Sequence, residues 1–195
     1  MTTTRAAQAT RTREAILATA RRLIAEQGYD ATSLQQIAAA MGVGKANVYY
    51  YFKTKTEILD ALLTPFADSL EALLAEAAAV PEGPPRVDIL IAGFVDRVLA
   101  AYGSFGSLGL GDPALRRDLP ISRRLDSLAE QGLQLLFGAT PTSEQQAGYW
   151  LVQDLGPVLR RLRGVPEDEV RRVLITLCRR LLESGTDQAR WPFPR

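Results

Sequence analysis

Few of the side chains in this 195-residue sequence could cooperate in covalent chemistry. There is no histidine, which removes the commonest general base and metal ligand and with them every Ser-His-Asp, Cys-His and HExxH arrangement. The only cysteine, Cys178, lies in the apolar run VLITLCRRLL and reads as a buried structural thiol rather than a nucleophile. One cysteine also excludes an intrachain disulfide framework and a cysteine-rich zinc site, so a reducing, cytoplasmic setting fits best. No catalytic constellation, metal site or cofactor is expected. What the residues offer instead is reversible recognition. The stretch GVGKANVYYYF, Gly42 to Phe52, brings together a lysine, an asparagine and three consecutive tyrosines. Lysine donates to guanine and asparagine pairs with adenine, so Lys45 and Asn47 are the expected base-edge readers. A phenol packs its ring at a protein rim while its hydroxyl bonds a phosphate oxygen, which suits Tyr49 and Tyr50.

These groups are useful only if the chain holds them on one side. Apolar spacing is helical nearly everywhere and no stretch alternates long enough for a strand, so the expected fold is all-α. A first helix over about Thr12 to Gln27 puts Ile16, Ala20, Leu23 and Ile24 on one face and stops at Gly28. Ser33 and Gln36 form a capping box for a short second helix with Leu34, Ile37, Ala38 and Met41 inward. The GVG turn then leads to a third helix from about Lys45 to Tyr51 or Phe52. Thr54 and Glu57 open a long fourth helix that Pro65 should kink or end.

Two short helices joined by a tight turn, the second basic at its start, form a helix-turn-helix, whose second helix enters the major groove N-terminus first. Each helical residue turns about 100°, so the tyrosines have separate roles. Val48 and Phe52 face inward, Lys45 and Tyr49 share an outer face, Ala46 and Tyr50 share another, and Tyr51 packs against the first or fourth helix. Gly44 and Ala46 are small enough to let the helix start approach a phosphate. Lys53 and Lys55 flank the reader as phosphate contacts. Residues 1–60 carry eight Lys/Arg against five Asp/Glu, a surplus of +3, while residues 61–195 carry fifteen against seventeen, or −2. The positive charge therefore accompanies the motif. Residues 1–11 read as a flexible arm, and Arg5, Arg11 and Arg13 either contact DNA backbone or minor groove or are simply solvated.

The segment TREAILATARRLIAEQGYDATSLQQIAAAMGVGKANVYYYFKTKTEILDAL closely resembles the N-terminal domain of TetR-family transcriptional regulators. The resemblance rests on the T-S-L-x-x-I-A, G-V-x-K-x-x-V-Y-x-Y-F and K-x-E-I-L patterns and covers about the first third of the chain. It implies DNA contacts at Ser33, Leu34, Gly44, Lys45, Ala46, Tyr49, Tyr50 and Lys55, and extends to Thr32. Gly44 stands where the family often has serine or threonine, which removes a side-chain cap and a phosphate contact. Ala46 replaces a frequent glycine or proline.

Two domains are expected: a helix-turn-helix reader over 1–53 and a helical domain over 54–195. VPEGPP interrupts the helices, and further ones follow over about 87–102, 121–137, 143–162 and 166–184. The glycine-rich GSFGSLGLGDP has no lysine and no preceding strand, so it reads as an irregular connection rather than a phosphate loop. In the tail, Trp191 and Phe193 could dock on the body. One short reader touches too few base pairs, so a dyad is needed. The helices over 143–162 and 166–184 carry stripes at Tyr149, Val152, Gly156 and Leu159, at Leu151, Leu155, Val158 and Leu162, and at Val170, Leu174, Leu177 and Leu181. Two apolar faces on one helix predict burial within the subunit and against a twin, with a kink at Pro157.

The resemblance also implies a small-molecule cavity in the second domain. Phe66, Phe94, Tyr102, Phe105, Tyr149 and Trp150 are candidate lining residues, with Asp96, Gln153 and Asp154 as polar groups; Asp154 either faces an effector or pairs with an arginine such as Arg97. The overall expectation is a homodimeric repressor that binds a palindromic duplex operator and is released by an unidentified small-molecule effector, with no membrane span. The alternative is a helical protein-interaction module without effector response.

Overall fold

The computed structural model describes residues 2–105 and 120–183, with side chains over 5–103 and 120–183. Most of the glycine-rich segment, the Phe105 side chain and the tail with Trp191 and Phe193 lie outside the described residues. Among the described residues there are nine helices and no strand: α1 (Thr2–Gln27), α2 (Leu34–Ala40), α3 (Lys45–Tyr51), α4 (Lys55–Ala78), α5 (Pro84–Phe105), α6 (Pro120–Phe137), α7 (Ser143–Gln153), α8 (Gly156–Arg161) and α9 (Glu167–Glu183).

The first helix starts ten residues earlier than its apolar stripe predicts, and the stretch read as a flexible arm is helical from Thr2. Its composition explains this. Ala6, Ala7 and Ala9 carry the highest helix propensity, which outweighs the slight cost of Thr10 and Thr12 donating their hydroxyls back to the carbonyls of Ala6 and Gln8 at 3.1 and 3.0 Å.

Ile16, Ala20 and Ile24 of α1 form a head core with Leu34, Ile37, Ala38, Val48 and Phe52. That core does not stop at residue 53. Ile58 and Leu62 of α4 and Ala101 of α5 are also part of it, so the start of α4 belongs physically to the head. The next residues on α4, Leu59, Leu63 and Ala67, turn toward Ile121, Leu125 and Leu128 of α6. One helix thus serves both halves of the molecule. Pro65 does not end it: α4 continues to Ala78, and the buried Leu62, Leu63 and Ala67 beside the proline hold the helix together despite the missing N–H.

A third core joins α5, α6, α7, α8 and α9 through Ile91, Val95, Leu133, Tyr149, Val152, Leu159, Leu174 and Cys178. Glycines allow two close approaches here. A Cβ on Gly132 would lie 2.5 Å from the Tyr149 hydroxyl, and one on Gly148 would lie 2.6 Å from the Leu181 carbonyl. The expected helix over 143–162 is broken into α7 and α8 at Asp154, whose φ of −115° and ψ of 76° are not helical. Pro157 is the cause, because its ring would clash with the Gln153 carbonyl and it has no N–H to return to it.

Candidate nucleic-acid interface and cavity

The head presents α3 through four local devices. The Ser33 hydroxyl accepts from the Gln36 N–H at 3.2 Å while the Gln36 side chain accepts from the Ser33 N–H at 2.8 Å, fixing the start of α2. Gly42 takes φ 67°, a left-handed conformation that makes the turn and favours glycine. At the end of α3, Lys53 donates from Nζ to the Tyr49 carbonyl at 2.7 Å. Thr54 caps α4 by accepting from the Glu57 N–H, and the Glu57 carboxylate accepts from the Lys53 N–H at 2.7 Å.

Val48 and Phe52 are buried, and the rest of α3 divides as helical geometry requires. Lys45, Ala46 and Asn47 are exposed, and Tyr50 is 75% exposed. Tyr49 is half-buried with the Lys45 ammonium 5.1 Å from its ring centroid, a cation–π contact that keeps the charge at the front of the helix. Tyr51 packs partly into the head core and meets Tyr50 edge-on at 5.1 Å. Gly44 is the N-cap of α3 with no side-chain cap, so its first N–H groups remain open to an anion. From residue 31 to residue 56 there is no Asp or Glu, and Lys45, Lys53 and Lys55 are the only charges.

The other residues named from the resemblance do not all reach this face. Ser33 is exposed beside it. Thr32 is only 1% exposed; its hydroxyl donates to the Gly28 carbonyl at 2.8 Å and accepts from the Gln27 side chain. Leu34 is 7% exposed and belongs to the head core, so it can offer a duplex its backbone N–H but not its side chain. Lys55 is half-buried. Its Nζ donates to the Tyr29 carbonyl at 2.7 Å and the Asp30 carbonyl at 3.3 Å and lies 4.1 Å from the Tyr29 ring centroid. It therefore ties α4 to the α1–α2 loop, with one N–H left for an anion. Spacing alone could not separate Lys55 from Lys45, because the tether crosses more than twenty residues of chain.

In the second half, a cavity of about 280 Å³ opens among α4 to α9. Phe66, Phe94, Tyr102, Trp150 and Asp154 all line it, as do Tyr149 and Gln153; only Phe105 falls outside the described side chains. Its walls are mainly leucines and aromatics, among them Leu70, Leu128 and Leu136, which periodicity alone leaves indistinguishable from core. The Tyr149 hydroxyl donates to the Ala129 carbonyl at 2.6 Å, and burial pushes this phenol well above its usual range, so it stays neutral. Asp96 is not in the lining. It pairs with Arg171, whose hydrogen bonds hold its carboxyl below the usual range. Arg97 does not pair with Asp154 but donates to the Ser69 and Gly93 carbonyls at 2.6 and 3.0 Å.

Cavity and head are mechanically connected. Asp60, one turn into α4, accepts from the Ile121 N–H at 2.9 Å, so it caps α6 from the helix that follows the reader. Arg124 of α6 pairs with Asp68 at 2.7 Å and with Glu71 on the same helix. Ala101 and Phe66 touch both the head core and the cavity.

A different face is left uncovered. On α9, Val170, Leu174, Cys178 and Leu182 point inward, while Val173, Leu177 and Leu181 form an exposed apolar line at 41%, 45% and 41% exposure. The stripe read from sequence as Val170, Leu174, Leu177 and Leu181 therefore mixes two faces. Trp150, Leu151 and Val158 are exposed on the neighbouring α7 and α8.

Residues 16–62 match the family model described as bacterial regulatory proteins, tetR family. Among characterised proteins, the HTH-type transcriptional regulator BetI of Rhizobium meliloti is 34% identical over 164 residues, 79% of this chain and 80% of that protein. The HTH-type transcriptional regulator AcrR of Shigella flexneri is 35% identical over 78 residues, which covers 40% of this chain but only 36% of AcrR. Among solved structures, Mycobacterium smegmatis AmtR matches with a TM-score of 0.69 and 30% identity over 90% of this chain and 86% of that one.

Proposed function

This chain belongs to the TetR family of DNA-binding transcriptional regulators, and from that premise we propose that it is a homodimeric repressor whose grip on a palindromic operator is released by a small molecule. The observation that carries this reading is the acid-free, exposed face of α3, where Lys45, Ala46, Asn47 and Tyr50 project with open N-terminal amides beside them. Lys45 and Asn47 read base edges; Ser33, Gly44, Tyr49 and Tyr50 contact the backbone. Lys55 serves the head first as a tether. The reader occupies roughly residues 1–53, buttressed by the start of α4, and residues 54–195 serve effector binding and dimerisation.

The exposed apolar residues of α7, α8 and α9 suit a two-fold interface with an identical chain, since a stripe of this width is costly to leave in water. The dyad would space two readers by about 34–36 Å or a multiple of it. An effector in the cavity walled by Phe66, Phe94, Tyr102, Trp150 and Asp154 acts through α6 and α5. It binds more tightly to the arrangement in which the heads are misplaced, and that differential affinity, delivered through Asp60 and Arg124, lowers operator affinity. The relatives are regulators rather than enzymes, in keeping with a sequence that has no histidine. Among the described residues no helix is long and apolar enough to cross a membrane, and no group of His, Cys, Asp and Glu could hold a metal ion.

Selection of bound sequences from a random duplex pool tests the reading. A palindromic motif with half-sites about one turn apart is expected; absence of duplex affinity even at low salt would replace it with a protein-interaction role.

A further inference from the structure

The cavity is polarised along its length. Contacts fix the direction of its walls: Arg97 donates to the Ser69 carbonyl at 2.6 Å while a Cβ on Gly93 would meet Leu73, so α4 and α5 run antiparallel. Asp60 meets the start of α6 at Ile121, and a Cβ on Gly132 would lie 3.6 Å from Leu74, so α4 and α6 run in the same direction. After a short turn α7 comes back along α6, with the Tyr149 hydroxyl on the Ala129 carbonyl. The end remote from the reader is walled by Leu73 and Leu74 of α4, Leu90 and Phe94 of α5 and Leu136 of α6. None of these side chains carries a donor or acceptor. The Tyr149 phenol nearby is neutral and already spends its proton on Ala129. A polar group carried to this end would lose water and gain no partner.

The charged lining groups stand at the other end. Three residues back from Ala129 is Asp126, and five residues on from Tyr149 is Asp154, so the two carboxylates reach the cavity from facing elements within about one helical turn of the same height. Neither has an ion-pair or hydrogen-bond partner among the described residues. Trp150, one turn before Asp154, is 43% exposed and adds an aromatic surface at this end. Arg160 is the basic member of the lining. Its Nη1 and the Asp154 Oδ1 would lie 3.6 and 3.4 Å from a Cβ on Gly156, so it stands close enough to offset part of one carboxylate, leaving Asp126 uncompensated. Arg163, outside the lining, donates from Nε to the Tyr102 hydroxyl at 3.3 Å.

We propose that the ligand of this cavity is a cationic amphiphile, with a hydrocarbon body in the remote end and a protonated or quaternary amine beside Asp126, Asp154 and Trp150. The proposal rests on the reading of this cavity as the effector site and names the class of effector. An acyl chain ending in a carboxylate would bring a third negative charge to the same place. A cation instead gains both carboxylates and an aromatic surface. The orientation also bears on regulation, because Asp126 lies on the end of α6 that Asp60 caps from the helix behind the reader.

The test titrates the DNA-free protein by calorimetry with three probes below their micellar concentrations: decyltrimethylammonium, decanol and decanoate. The cation should bind at least about tenfold tighter than decanoate, with decanol between them. Each methylene added from octyl to decyl should tighten cation binding about fourfold, since the body is buried in apolar surroundings. Asp126→Asn and Asp154→Asn should each weaken the cation by up to about fivefold and leave decanol unchanged. Arg160→Gln should tighten the cation and weaken decanoate. All three side chains are exposed, so the variants should fold, which circular dichroism checks. Decanoate bound as tightly as the cation overturns the proposal, as does a cation preference that survives the double variant, or no binding of any probe. Operator release is read separately by anisotropy. If decanoate rather than the cation binds and releases the operator, only this inference fails; if the cation binds with the stated preference and the operator stays bound, the release reading beneath it fails.

Discussion

Lys45 opens α3 and Lys55 opens α4 just beyond it with the same charge, yet their surroundings predict opposite consequences of removing them. Lys55 donates to two backbone carbonyls, at 2.7 and 3.3 Å, and covers the Tyr29 ring at 4.1 Å. A hydrogen bond to a charged group contributes about 1.5–3 kcal/mol when buried, and a cation over an aromatic face about 0.5–1 kcal/mol. Because the side chain is only half-buried, the sum must be discounted for solvent screening, which leaves about 1.5–2 kcal/mol for Lys55→Ala. For a chain of this length each kcal/mol corresponds to about 2–4 °C, so Tm should fall by about 3–8 °C. Lys45→Ala removes an exposed ammonium whose one contact is a 5.1 Å approach to Tyr49, and should cost less than about 0.5 kcal/mol in stability. Its loss should appear in binding instead, at about 1–3 kcal/mol per half-site, or roughly 5- to 150-fold for each of the two, with relaxed preference at one base position in each half-site. Thermal denaturation and anisotropy titration on the same preparations separate the two. A Lys55→Ala protein that melts with wild type refutes the tether. A Lys45→Ala protein with full affinity and specificity removes the base-reading assignment.

Other consequences are as direct. Gly44 caps α3 at φ −66° and ψ 145° with nothing within 4 Å of an added Cβ, so Gly44→Ser should add a cap and stabilise the protein by a few tenths of a kcal/mol, about 1 °C in Tm, while holding or tightening duplex binding. Leu177 is 45% exposed on the outer line of α9, so Leu177→Glu should leave the subunit folded by circular dichroism but halve the apparent mass in size-exclusion chromatography and cost operator affinity; an unchanged elution volume would move the dimer elsewhere. Burial pushes the Cys178 thiol up to about 11, so native protein at pH 8 should resist thiol-specific labelling that proceeds at once in denaturant. The sign follows: the unfolded thiol loses its proton first, so Cys178 favours the folded state less as pH rises from about 9 to about 11, measurable in denaturant midpoints at fixed ionic strength.

Local signals determined most of the head. The capping box at Ser33, the turn at Gly42 and the division of α3 into an inward line at Val48 and Phe52 and outward groups at Lys45 and Tyr50 depend on residues within about four positions of each other, and such interactions are written into the order of the chain. The absence of histidine excluded whole classes of chemistry without any coordinates. The aromatic residues gathered around the cavity were also nameable in advance, though as individuals rather than as a wall. Only the tertiary structure distinguished tether from reader. It showed Lys55 turned onto a loop more than twenty residues away, Thr32 and Leu34 turned inward, Asp60 capping a helix sixty-one residues on, and α9 with its leucines divided between core and water. Each of those outcomes depends on which distant surface arrives at a residue. Periodicity reports that a face is apolar or charged, but a helix carries no local record of what will cover it.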